Sequence, residues 1–328
     1  MNSGVTQITV EEDDGEVRLD RFLRRRAPHL TQGQIEKLLR TGQVRVDGAR
    51  AKANDRLHAG QRVRIPPLPA EAPRGALGVS AKDMDFARSL VLYKDEDVIV
   101  LNKPAGLATQ GGAKTPRHVD AFMDALKFER EDRPKLVHRL DRDTSGVLVL
   151  ARHARAAAAL AAVLRARDAD KIYWAVVLGA PRPSAGEIRG WMRKAAGPGE
   201  ADRKMMRRCA QNDEGAVFAV THYVTLSDAG GKAAWLALKP ETGRTHQLRF
   251  HMAEIGCAIL GDQKYICDRE TPGGLAKGLH LHARALRIPH PTRGVLEVAA
   301  PPPPHMQATF AALGFDARTA RDPFEPFA

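Results

Sequence analysis

A chain of 328 residues has room for one large and one small folded domain. Its 43% hydrophobic and 27% charged residues suit a globular protein, and its longest apolar runs, such as 98–101 and 147–151, are strand-sized, which excludes a bilayer-spanning helix. A formal net charge of +12 points toward a polyanionic partner, although charge alone also fits membrane-surface binding or solubility.

The opening MNSGVTQITVEEDDGE holds five acids and no Lys or Arg, and reads as an acidic N-terminal segment, 1–16. It lacks a basic region followed by an apolar stretch, so no secretory signal and a cytoplasmic location are expected. Cys209, Cys257 and Cys267 form no CxxC pair and are expected to be ordinary reduced thiols.

Residues 17–66 carry thirteen Lys/Arg against four Asp/Glu, so the basic charge is concentrated here. Leu19 and Phe22 mark a first helix. After Thr31, a plausible N-cap, Ile35, Leu38 and Leu39 mark a second that ends at Gly42. QVRVDG and QRVRIP alternate apolar and polar positions as short strands, with a turn at Asp47–Gly48. Arg24, Arg25, Arg26, Lys37 and Arg40 read either as solvated helix faces or, since basic residues recur on helices and strands together, as a phosphate-binding surface. The whole segment resembles an S4 RNA-binding domain. Residues 67–85 are rich in Pro, Ala and Gly and read as a semi-rigid linker.

From 86 to 304 strand signals alternate with occasional helices. VIVLNKPAGL, SGVLVLAR, KIYWAVVLG, AVFAVTHYV and AAWLALKP read as strands, and RAAAALAAVLRAR and THQLRFHMAEIG as helices. The fold class expected is α+β, built on a large mixed or antiparallel sheet. The polar, basic stretch 192–215 has no clean period and reads as a loop. Residues 305–328 read as a tail that ends in a docked helix.

Chemistry concentrates in HRLDRDTSG (138–146), a dense polar run just before an apolar strand. Its residues alone fit equally a turn in which Asp143, Thr144 and Ser145 bond the backbone. The string closely resembles the signature of the RNA pseudouridine synthases of the RluA family, which act on large-subunit ribosomal and some transfer RNA. The similarity continues through NKPAGL (102–107), KIYWAVVLG (171–179) and KPETGRTHQLRFHMAEIGCAILGD (239–262). With the S4-like segment it points to the RluC/RluD-like branch, and VRIPP (63–67) and QGG (110–112) lean to the RluC side. Ala258 and Ile266 depart from the family pattern, in a loop.

This resemblance implies cleavage of a uridine's glycosidic bond and reattachment through C5, with large-subunit ribosomal RNA as partner and no cofactor or metal. It makes Asp141 the catalytic carboxylate, Arg249 its supporting cation and Tyr173 the ring that stacks on uracil. Arg139 becomes the residue that fills the space of the flipped base. Arg244, Thr245, His246 and Gln247 are expected to begin a helix that touches RNA or orders the aspartate loop. His246 and His251, five apart, do not share a helical face, and with His280 and His282 they are expected to hydrogen-bond rather than bind metal. A monomer is the expected state. Two rivals are a hydrolase pairing Asp141 with Asp143 and a non-catalytic S4-type ribosome-assembly protein.

Overall fold

The computed structural model describes residues 5–12, 16–27, 30, 32–67, 80–111, 115, 117–197, 200–318 and 323–324. Thr31, most of the expected linker and Gly112 lie outside the described residues. The chain divides into two compact units, 1–78 and 79–328.

In the first unit, α1 (Leu19–Arg26) and α2 (Gln32–Arg40) pack through Leu19, Phe22, Leu23, Ile35 and Leu39. They cover a four-stranded sheet of β1 (Thr6–Thr9), β2 (Arg45–Val46), β3 (Ala49–Arg50) and β4 (Arg62–Ile65), ordered β1-β4-β2-β3. Arg24, Arg25, Arg26, Lys37 and Arg40 lie exposed in the last turns of the two helices, where cations also complement the helix C-termini. The acidic N-terminal segment is not separate from this unit: β1 pairs along β4, and Val10 is buried in the shared core.

The second unit begins at α3 (Ala81–Ser89), whose N-cap Ser80 accepts from the Asp83 amide, so the expected linker ends in a helix. Then follow β5 (Val91–Lys94), β6 (Val98–Lys103), a 3-10 turn at Val119–Phe122, β7 (Lys135–Leu136), β8 (Ser145–Ala151), α4 (Ala154–Ala166), β9 (Asp170–Leu178), β10 (Ala185–Gly197) and β11 (Glu200–Arg208). The chain continues with β12 (Val217–Asp228), β13 (Ala233–Pro240), α5 (Gln247–Glu254), β14 (Leu281–Pro289), β15 (Val295–Ala299) and α6 (Pro304–Leu313). Eleven strands form one sheet, in the order β11-β10-β12-β13-β9-β14-β8-β6-β5, with β15 beside β14 and β7 beside β8. Among the described residues, β8 and β14 are the strand pair that runs parallel, so the sheet is mixed, as expected.

Side chains alternate faces along each strand and divide the core. Ile99, Leu101, Leu148 and Leu150 pack with the 3-10 turn, whereas Val98, Val100, Val147 and Val149 pack against α4. On β9, Ala175 and Val177 meet Leu248 and Met252 of α5, whereas Trp174 and Val176 meet Trp235, Met306 and Phe310. The last two belong to α6, so a helix at 304–313 docks on the second unit's core, at the start of the expected tail.

The stretch 192–215 is corrected: β10 and β11 make a long hairpin, paired from Met192↔Arg208 outward. Near its base only Met192 and Met206 of this pairing are buried, with Ala219 and Tyr265. Arg193, Lys194, Arg207 and Arg208 interrupt the apolar positions of the pairing, so the sequence shows no clean period of two there.

Candidate active site

Asp141 sits on the loop that leads into β8, and neighbouring backbone holds that loop on both sides. The Thr109 hydroxyl donates to the Leu140 carbonyl at 2.7 Å and accepts from the Leu140 amide at 3.1 Å. The Gly106 amide and the Lys103 ammonium both donate to the Arg142 carbonyl, at 2.9 and 3.0 Å. Lys103, buried at 0% exposure, gives its other two N–H groups to the carbonyls of Pro104 and Leu107. Burial pulls its pKa down to about 7, while the charges of Asp143 and Asp141 pull it back up. NKPAGLAT is therefore the cradle of the aspartate loop. Behind it β8 meets β14 closely: Gly146 has φ +110°, and a Cβ there would collide with the Ala283 backbone.

The loop faces a cleft of about 130 Å³ whose walls include Arg139, Asp141, Tyr173, Leu281 and residues 242–249. Tyr173 lies where the core clusters against the 3-10 turn and against α5 meet. Burial raises its pKa, and the nearby Asp141 charge raises it further, so the ring is a neutral phenol. Arg139 is exposed at the rim. Asp143 is exposed as well and does not line this cleft, so the two aspartates make no carboxylate pair across it.

Arg249 comes from α5 and lies almost wholly buried. Its closest partner is Asp262, not Asp141: Nε and Nη2 donate to the two Asp262 oxygens at 2.7 and 2.6 Å, whereas Nη1 stands 3.7 Å from Asp141 Oδ2. Burial disfavours its charge, but the hydrogen bonds and charge of Asp262, with Asp141 behind them, raise its pKa above the usual guanidinium range. Arg249 thus presents a fixed positive charge to Asp141. Asp262 is further held by the amides of Lys264 and Tyr265.

The segment before α5 is a turn rather than helix, since the helix starts at Gln247 with His246 as its N-cap, in the left-handed region at φ +52°. Arg244 and Thr245 are exposed at the cleft, and Arg244 Nε donates to the Phe218 carbonyl. Gln247, expected at the RNA, is buried with its side chain bonded inside the protein. Its carbonyl accepts from the Thr242 hydroxyl and the Arg244 amide, and its NH2 donates to Val220 O and Thr221 Oγ1, which uses every hydrogen bond the side chain can make. His246 turns toward the cleft, with Nε2 at 3.8 Å from Asp141 Oδ2 and Nδ1 at 3.0 Å from the Tyr265 hydroxyl.

The other histidines are structural hydrogen-bonders. His251 bonds Thr221, His280 bonds Thr309 and Gly278, and His282 bonds Ser145 and Ala300. Burial lowers the pKa of all three to about 4, so the rings are neutral. Among the described residues one group has ligand-like spacing, Asp95, Asp97 and His290, but Tyr93, Arg293, Thr292 and His153 already occupy its carboxylates. Lys103, Asp262 and Tyr265 carry no mark of a role in the sequence by themselves. The one available signal is that each falls inside or just beyond a stretch matching the family pattern.

A family model for RNA pseudouridylate synthase matches residues 97–254, and one for the S4 domain matches 17–63. The Rickettsia conorii protein called ribosomal large subunit pseudouridine synthase C is 36% identical, over 81% of this chain and 87% of its own length. The Pasteurella multocida protein of the same name is 31% identical over 95% of both. Among solved structures, human RNA pseudouridylate synthase domain containing 4 matches with a TM-score of 0.58 and 29% identity, over 70% of this chain and 96% of that one. With a similarity that runs through nearly the whole chain and a cleft that gathers the family's motifs, the protein belongs to the RNA pseudouridine synthases that carry an N-terminal S4 domain.

Proposed function

We propose that this enzyme converts uridines of large-subunit (23S) ribosomal RNA to pseudouridine, with Asp141 as its catalytic carboxylate. The observation that carries the reading is the convergence of Asp141, Tyr173 and Arg249, widely separated in sequence, on one cleft. Asp141 acts at the nucleoside as nucleophile or base, and Arg249 favours its ionised form. Tyr173 offers a neutral ring on which uracil stacks. A stacked or paired uridine must leave its helix to reach Asp141, and Arg139 at the rim fills the space it vacates. Arg244 and Thr245 meet the flanking RNA.

The choice of RNA rests on the Rickettsia and Pasteurella relatives, both called ribosomal large subunit pseudouridine synthase C, which also favours the RluC side of the branch. The S4 domain supplies phosphate contacts through Arg24, Arg25, Arg26, Lys37 and Arg40. The domain limits that support this reading are S4 at 17–66, with β1 added to its sheet, and a catalytic domain that runs from α3 through α6. A cytoplasmic monomer fits this work.

The test is to incubate the protein with unmodified large-subunit, small-subunit and transfer RNA and map carbodiimide-dependent reverse-transcription stops. Stops confined to large-subunit RNA are expected. Modification of the other RNAs alone would refute the substrate assignment.

A further inference from the structure

The reading of Asp141 as the catalytic carboxylate leaves His246 and Tyr265 without a role, although both are packed beside it. Their hydrogen bonds assign one. The Met206 backbone N–H can only donate, and it lies 2.7 Å from the Tyr265 hydroxyl oxygen. The same hydroxyl lies 3.0 Å from His246 Nδ1. Tyr265 is 4% exposed, and among the described residues His246 Nδ1 is the only acceptor within reach of its proton. Were Nδ1 to carry a proton, the phenol would have to accept from both sides and leave its own O–H buried and unpaired, a costly arrangement. Nδ1 therefore accepts from Tyr265.

A neutral imidazole that accepts at Nδ1 carries its proton on Nε2. Burial first, then the Arg249 and Lys264 charges, lower the His246 pKa, against the opposing pull of Asp141 and Asp262, so the neutral ring is favoured. The Nε2–H then faces Asp141 Oδ2 at 3.8 Å, just beyond hydrogen-bond length. Such contacts are commonly long in a free enzyme and tighten when substrate fills the cleft.

We propose that His246 is a positioning residue for Asp141, locked by Tyr265 and the Met206 amide as the tautomer whose proton points at the catalytic carboxylate. Three features make the lock rigid. His246 holds a left-handed backbone conformation that costs a non-glycine residue energy. The Tyr265 amide is bound by Asp262, and its ring lies 5.4 Å from the Arg249 guanidinium carbon. Met206 belongs to β11, which is also tied to α5 by the Arg208–Glu254 ion pair. The β10–β11 hairpin thereby anchors the donor that orients Asp141.

The test uses full-length protein carrying 15N-histidine, with the His246 signals identified as those absent from His246→Gln. Long-range 15N–1H correlation reads the tautomer directly. In the wild type His246 is expected to be neutral with its proton on Nε2. Tyr265→Phe keeps the ring but removes the hydroxyl, and is expected to abolish the single tautomer and lower kcat about tenfold while KM for RNA changes by less than about twofold. His246→Gln, whose amide can donate from the Nε2 position, is expected to keep more activity than His246→Asn. A proton on Nδ1 in the wild type would overturn the proposal, even if Tyr265→Phe did not fold. So would a Tyr265→Phe protein with unchanged tautomer and kcat. Activity in Asp141→Asn would instead overturn the reading of Asp141, and with it this role for His246, whatever tautomer the ring adopts.

Discussion

Asp262 grips Arg249 through two parallel hydrogen bonds of 2.7 and 2.6 Å, so the guanidinium is oriented toward Asp141 before any RNA arrives. Both side chains are buried, and Asp262 is fully so. Removing one member leaves the other as an uncompensated buried charge, which typically costs about 3–5 kcal/mol. Asp262→Ala should therefore destabilise the protein by roughly this amount, and Asp262→Asn by less because the amide still fills the space and accepts from Lys264 and Tyr265. Urea unfolding of the two variants beside wild type checks the order. A wild-type midpoint for Asp262→Ala would contradict it.

The buried histidines make stability depend on pH. His282 has a folded pKa near 4 against an ordinary value of 6.5, so between these the unfolded chain binds more protons than the folded one. Its stabilising effect is complete above pH 6.5 and is lost as pH falls toward 4, by up to about 3 kcal/mol. His251 and His280 act in the same direction. Unfolding measured at pH 7 and pH 5 should show a marked loss in wild type and a smaller one in His282→Gln. An equal slope in both proteins would remove His282 from the effect.

Most of the site is legible in the sequence because the family's motifs are local strings. HRLDRDTSG draws attention to Asp141 and TGRTHQLR to Arg249 without knowledge of the fold, which brings both to one cleft. Tertiary pairings are not legible. Arg249 and Asp262 are thirteen residues apart in a chain whose path between them is α5 and a loop, and nothing in either residue's neighbourhood announces the other. Lys103 reads as a surface lysine until three carbonyls are seen to match its three N–H groups. The β10–β11 hairpin escapes a periodicity reading because runs of adjacent basic residues, Arg193–Lys194 and Arg207–Arg208, interrupt its apolar positions. His280 and His282, expected to hydrogen-bond rather than bind metal, are buried polar positions on or beside the central strand β14, and their partners Thr309 and Ser145 are distant in sequence.

Phosphate binding by the S4 domain should appear in salt dependence. Arg24, Lys37 and Arg40 lie exposed on the last turns of α1 and α2. Each phosphate that the domain no longer neutralises should reduce the slope of log K against log salt by about 0.7–0.9. Replacing the three with Ala should flatten the slope by about 2 while kcat at saturating RNA is kept. Filter binding across a salt series gives the slope, and an unchanged value would place the phosphate-binding surface elsewhere.

Arg139 at the rim should matter in proportion to how firmly the target uridine is held in the RNA. Arg139→Ala is expected to lose about tenfold or more in kcat/KM on a folded hairpin target and much less on an unstructured oligonucleotide with the same uridine, where no stack must be broken. Equal losses on both substrates would argue for a direct role at the reacting base instead.

The most direct measurement compares wild type with Asp141→Asn on unmodified large-subunit RNA, scored by carbodiimide-dependent reverse-transcription stops. Asn keeps the shape of the side chain and its place beside Arg249 but removes the carboxylate. The expected result is a folded, RNA-binding protein that produces no stops above background. Stops of equal strength from both proteins would contradict the assignment of Asp141 as the catalytic group.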